Sequence, residues 1–105
     1  MKLKFISTGE YGGGMTGIEA YHNGYQVIIS DGDGGLPVLG DEWIMGIYVK
    51  DADGDWECDA LAMTEGKNYS LDKARSAGER LLTRVIKKEI KNLERKIKEL
   101  KASLC

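Results

Sequence analysis

The sequence predicts an α+β fold, an antiparallel four- to five-stranded β-meander followed by one long C-terminal helix that ends in a short coiled coil. Strand-type runs separated by glycine- and aspartate-rich turns fill residues 1–69. From Leu71 to Leu104 the chain has no proline and one glycine, Gly78. From Ile86 onward, isoleucine or leucine recurs every three or four residues. At 105 residues the chain is the size of one domain.

The strands are expected in the following order. The first strand is expected over Lys2–Ser7, and the glycine-rich run Gly9–Gly17 is expected to be a loop. Asn23-Gly24 lies between two β-rich runs and is the preferred pair of a type I′ hairpin turn. The run "WIMGIYVK" predicts the next strand. After the turn "DADGD", the run "WECDALAMTE" predicts its paired return strand.

The C-terminal segment, residues 70–105, is expected to be one helix. Ser70 suits the N-cap position. Asp72 suits the first turn, because the positive N-terminal end of the helix dipole stabilises a negative charge there. Apolar residues then repeat at helical spacing: Ala74, Ala77, Leu81, Val85 and Ile86. This part is expected to pack on the sheet to about residue 86, with Gly78 allowing a close approach.

A heptad seam is predicted over residues 86–104. Its members are Ile86, Ile90, Leu93, Ile97, Leu100 and Leu104, spaced 4, 3, 4, 3 and 4. Isoleucine at a and leucine at d favours a parallel pair. The seam is too short to stand alone in water. We expect a homodimer or higher oligomer. Packing of the seam on the β-sheet part of the same chain, residues 1–69, hereafter the head, stays open as the alternative.

The flanking charges of the seam favour an antiparallel pair instead. In a parallel pair Glu89 would repel Glu94, and Lys96 would repel Lys101. In an antiparallel pair with Ile90 layered on Leu93, Glu89 meets Lys96. Lys87 then meets Glu94, although each exposed pair contributes only about 0.5 kcal/mol. We expect the antiparallel arrangement.

Charge is unevenly distributed along the chain. Residues 1–72 carry 4 lysines against 13 acidic residues, a net charge of −9, and residues 73–105 carry +7. The basic helix suits an anionic partner or the acidic head of a second copy. A nucleic-acid partner is not expected, because the head would repel a phosphate backbone. The sequence has no membrane-length apolar run and only two cysteines, so we expect a cytoplasmic protein without a membrane partner.

Two motifs suggest ligands that their context does not support. "GGGMTG" at 12–17 matches G-x-G-x-x-G, but a hairpin is expected after it, where a phosphate cradle needs a helix. The alternating aspartates of residues 51–59 resemble a calcium loop. A loop counted from residue 51 would need glycine and glutamate where Trp56 and Ala62 stand. A polar turn is expected there, with calcium left open.

Catalysis is not expected, nor is a metal or other cofactor. His22 is the only histidine, and it stands beside the predicted hairpin turn. Nucleophilic catalysis needs a histidine positioned in a pocket, and zinc needs several clustered Cys or His ligands. We therefore expect a binding protein and not an enzyme.

The candidate binding residues lie on the predicted helix. Arg80 and Arg84 are one turn apart and share a face, which suits bidentate contacts to phosphate or carboxylate. Trp56 could supply a stacking surface, and Asn68 could supply a hydrogen bond to a base edge. A solvated helix face is the alternative interpretation.

This arrangement resembles small phage proteins that disarm bacterial defence. The order of Trp56, Asn68 and Arg80-x-x-x-Arg84 is similar to that in the Thoeris anti-defence sponges. The resemblance implies an aromatic ring stacked on adenine, with the asparagine and arginines holding a cyclic ADP-ribose-like signal at an oligomer interface in the host cytoplasm. A cyclic oligonucleotide is a related candidate. The rival is an anti-CRISPR-like inhibitor that binds a host defence nuclease or effector through its acidic head.

Overall fold

The fold consists of one antiparallel sheet and one long helix. The computed structural model describes residues 2–11, 15–31, 35–50, 53–55 and 59–104. The elements are β1 (Ile6–Tyr11), β2 (Met15–His22), β3 (Tyr25–Ser30), β4 (Trp43–Val49), β5 (Ala62–Gly66) and α1 (Leu71–Ala102). The sheet order is β1-β2-β3-β4-β5, so each strand pairs with its neighbour in sequence. The predicted α+β class, a meander followed by a long helix, is confirmed.

The boundaries expected for the first strand were wrong. β1 covers Ile6–Tyr11 and not Lys2–Ser7, and part of the expected Gly9–Gly17 loop belongs to β1 and β2. Thr8 pairs with Gly17 and Tyr11 with Met15, with an irregularity between these pairs. Glycine weakens a strand locally, but backbone pairing with a neighbouring strand outweighs that preference. Residues 12–14 lie outside the described residues.

The start of the return strand was expected too early in the sequence, and the end of the helix was expected too late. The return strand was expected from residue 56, but β5 begins at Ala62. Leu61 N donates to Ile47 O at 2.7 Å, so pairing beside β4 begins just before the strand. The helix was expected over residues 70–105 but ends at Ala102, where the backbone N–H of Ser103 donates to Glu99 O. Helix ends fray, and the seam pattern does not specify the last turn.

The hairpin turn between β2 and β3 has the predicted geometry. Asn23 and Gly24 have φ values of +48° and +87°. Type I′ turns require positive φ at both central residues, which asparagine and glycine tolerate. His22 therefore pairs with Tyr25 and stands at the end of the hairpin.

The core lies between α1 and the inner face of the sheet. Alternate residues of the central strands, Val27, Ile29, Met45 and Ile47, are fully buried. The helix contributes Ala74, Gly78, Leu81 and Leu82 to the same core. A Cβ built at Gly78 would lie 3.3 Å from Leu3 Cδ1 and from Met45 Sδ. The close approach expected at this glycine is therefore present.

The start of α1 is fixed by side-chain and backbone hydrogen bonds. The Ser70 hydroxyl accepts from Lys73 N at 3.3 Å, as the sequence predicted for the N-cap. Tyr69, the residue before this N-cap, makes two backbone hydrogen bonds: Gly40 N donates to Tyr69 O at 2.9 Å, and Tyr69 N donates to Asp41 O at 2.8 Å. These bonds hold the helix entry against the segment that leads into β4.

Candidate functional site

The side of α1 that faces away from the sheet carries a basic stripe, defined as Lys73, Arg80, Arg84, Lys87 and Lys91. The spacing of 7, 4, 3 and 4 keeps these residues on one side of a helix with 3.6 residues per turn. All five are exposed, whereas the buried helix residues lie roughly 130° around the helix from them. The arginine pair is thus presented to solvent from a rigid element.

Both arginines border one surface depression. Its volume is about 640 Å³, and its lining among the described residues is Ser76, Glu79, Arg80, Thr83 and Arg84. This volume falls in the range of small-molecule sites, but those sites usually enclose their ligands. The depression is open, so one copy can hold an anionic group without burying the whole ligand.

Glu79 and Thr83 are held in place within the depression. Glu79 Oε1 accepts from the backbone N of Leu3 at 3.1 Å. The Thr83 hydroxyl donates to Glu79 O at 2.7 Å, so its proton is used within the helix. Two guanidinium groups and one carboxylate give the lining a net charge of +1. Neither arginine has a carboxylate partner within 4 Å among the described residues.

Asn68, a further predicted ligand residue, does not lie beside the arginines within one chain. Asn68 lies in the turn before the N-cap. The helix rise alone separates Ser70 from Arg80 by about 15 Å. Asn68 has φ +56°, a left-handed conformation that asparagine tolerates better than most residues. The backbone conformation therefore accounts for an asparagine at position 68. Trp56 lies outside the described residues.

The heptad residues follow one line along α1. Ile86 is half-buried against the core, and the next members are increasingly exposed. Their exposed fractions are Ile90 49%, Leu93 50%, Ile97 52%, Leu100 59% and Leu104 88%. An apolar line of this exposure is a candidate contact surface.

The acidic turn after β4 lies between strands and not between the helices of an EF-hand. The Asp53, Gly54 and Asp55 segment is exposed. Residues 51, 52 and 56–58 lie outside the described residues. The described ranges contain no group of three or more His, Cys, Asp or Glu side chains placed to hold a metal ion.

A polar cluster on the outer face of the sheet was not anticipated. Gln26 Nε2 donates to Glu19 Oε2 at 2.8 Å and to the Tyr21 hydroxyl at 3.1 Å. Burial, followed by the hydrogen bond and charge of Glu19, raises the pKa of the Tyr21 phenol above its ordinary value. Glu19 and Gln26 are buried and bonded to each other, which is typical of a structural cluster. The alternation of Glu19 and Tyr21 with apolar residues was the sequence signal that could have placed them together.

Comparison with known proteins gives no relative: no protein-family model, curated protein or solved structure matches the chain. In the part of the chain that the structure describes, no helix has the length and apolar character that a bilayer span requires.

Proposed function

We propose that this protein is a non-enzymatic, phage-type anti-defence protein that sequesters a small nucleotide-derived signal, cyclic ADP-ribose-like or a cyclic oligonucleotide. The observation that carries the proposal is the pair Arg80 and Arg84. Both are exposed, both border the same depression, and neither has a carboxylate partner among the described residues. Their guanidinium groups offer planar donor pairs that match phosphate oxygens.

In this proposal the arginine pair binds the phosphates, and the rest of the basic stripe attracts the anion. Lys87 lies one turn beyond Thr83 on the same side of α1, and Lys91 follows one turn later. A hydrogen bond to a charged group contributes about 1.5–3 kcal/mol, or roughly 10- to 100-fold in affinity. Because these charges are exposed, the affinity should fall as salt rises.

Calorimetry and native mass spectrometry with cyclic ADP-ribose and with a cyclic dinucleotide test the proposal. Arg80→Ala and Arg84→Ala should each weaken binding roughly 10-fold or more. Arg95→Ala is the matched control, because Arg95 is an exposed arginine of the same helix outside the depression. Asn68→Gly, which suits the positive φ, should leave the affinity unchanged. The ligand should be recovered unaltered. Unchanged affinity in Arg84→Ala would contradict the proposed function.

A second candidate is an anti-CRISPR-like inhibitor that covers a host defence nuclease or effector. The observation that favours it is the acidic head, on which Asp41, Glu42, Asp53, Asp55 and Glu65 are all exposed. Such surfaces compete for basic, nucleic-acid-binding grooves.

For this candidate, the double substitution Asp53→Lys/Asp55→Lys should abolish capture of a host defence protein and leave nucleotide binding intact. Capture is measured by affinity purification from host lysate with the unaltered protein beside it. Equal recovery of the same partner by both proteins would count against an acidic docking face.

A further inference from the structure

The second half of α1 lies clear of the sheet. Leu81 and Leu82 are buried and Val85 and Ile86 partly buried, but every residue from Lys87 to Ala102 is exposed. At 1.5 Å per residue this segment is about 24 Å long. It contributes to a molecule whose longest dimension is 57 Å. A helix of this length with no packing partner is marginal in water.

Leu82 and Ile86 extend the line of the seam toward the N-terminus and pack on the core, but from Lys87 onward the helix lies clear of the sheet. At 100° per residue, the line through Ile90, Leu93 and Ile97 lies roughly 125° around the helix from the sheet-facing row of Ala74, Gly78 and Leu81. A second helix can therefore lie along the seam without displacing the sheet.

We propose that a second copy of the chain covers residues 86–97 of this seam in an antiparallel two-stranded coiled coil. In the proposed register Ile90 of one copy shares a layer with Leu93 of the other. Ile86 then shares a layer with Ile97, on both sides of the twofold axis. Each copy supplies the same line of half-exposed isoleucines and leucines, so the contact is self-complementary.

Charge complementarity selects the second copy and its direction. In this register Glu89 lies beside Lys96 and Lys87 beside Glu94, and symmetry doubles both contacts. In the parallel register Glu89 faces Glu94, and Lys96 faces Lys101, so both contacts are repulsive.

The heads give a second reason for the antiparallel direction. A parallel coil would set two heads side by side, each within a segment of net charge −9 (residues 1–72). The antiparallel coil separates the heads. It also brings the basic end of each helix, which contains Arg95, Lys96 and Lys98, toward the acidic head of the other copy.

The oligomeric state is tested first, by sedimentation equilibrium of the full chain over a range of concentrations. The protein should be a dimer at tens of micromolar, and Ile90→Asp should shift it to monomer. Asn92→Asp is the matched control, since Asn92 is exposed on the side of the helix away from the seam and should leave the dimer unchanged. A monomer in the unaltered chain, or a dimer that survives Ile90→Asp, would overturn the proposal.

The direction is tested by oxidative cross-linking in a Cys58→Ser/Cys105→Ser background. Ile86→Cys/Ile97→Cys should give a covalent dimer, because the two positions share a layer and a disulfide needs Cα atoms closer than about 7 Å. Ile97→Cys alone should not give a covalent dimer. In the proposed register, residue 97 of one copy and residue 97 of the other lie about 16 Å apart along the coiled-coil axis. Efficient cross-linking of Ile97→Cys alone would establish the parallel coil and overturn the proposal, as would failure of the double variant.

Discussion

Replacing Leu82 with alanine is expected to lower the free energy of unfolding by about 2–5 kcal/mol. Leu82 is fully buried at the junction of α1 and the sheet. Its removal deletes three carbon atoms from a site where rigid neighbours cannot collapse completely, so a cavity term adds to the lost burial. Because a domain of this size is stabilised by roughly 5–15 kcal/mol, this single change removes a large share of its stability.

The measurement is urea unfolding followed by fluorescence, performed in the monomeric Ile90→Asp background so that association does not contribute. Leu71→Ala is the matched control, since Leu71 is 39% exposed in the first turn of the same helix. It should cost less than about 1 kcal/mol. Equal losses at the two positions would mean that Leu82 is not part of the packed core.

Gly66→Ala is expected to cost about 2–3 kcal/mol, although alanine is only one methyl group larger. Gly66 pairs with Trp43 across β4 and β5. A Cβ at this glycine would lie 2.5 Å from Cε2 and 2.8 Å from Nε1 of the indole. The ring is rigid and 6% exposed, so it must move out of the core to admit the methyl group. Its emission should then shift to longer wavelength.

The double-mutant cycle with Trp43→Leu isolates the contact. In the Trp43→Leu background Gly66→Ala should cost almost nothing, because the ring that excludes the methyl group is absent. The four variants of the cycle are compared by urea unfolding followed by circular dichroism, because Trp43→Leu removes the fluorescent ring. Only the emission shift of Gly66→Ala is measured in a Trp56→Phe background, so that Trp43 is the emitting indole. The same loss in both backgrounds would show that the cost arises elsewhere in the strand.

Local signals predicted the parts of the fold that local chemistry determines. Ser70 predicted the helix start because a cap is a contact within one turn. Asn23-Gly24 predicted its hairpin because the turn needs two positive φ values. The bounds of β1 depend on pairing with β2, and the glycine content of residues 9–17 indicated the opposite. Pairing is a property of two segments, so one segment could not reveal it.

The candidate site was predictable only where it lies on one helix. The spacing of Arg80 and Arg84 was enough to place both on one side of α1, where the structure has them. The bond between Leu3 and Glu79, which shapes the depression, joins distant positions and had no local signal. The packing of Trp43 on Gly66 and the polar cluster around Gln26 also needed the strand register.

The bond between Leu3 and Glu79 also closes a long loop, and closing a loop costs conformational entropy. The five strands pair in sequence order, and hairpins close short loops. Leu3 and Glu79 are 76 positions apart. Closure cost grows with the logarithm of length, so this contact costs roughly 2–3 kcal/mol more than a four-residue loop in an unfolded chain. Once the sheet has formed, the segment between them is already compact. The contact between residues 3–5 and α1 therefore has a low entropic cost only after the sheet has formed.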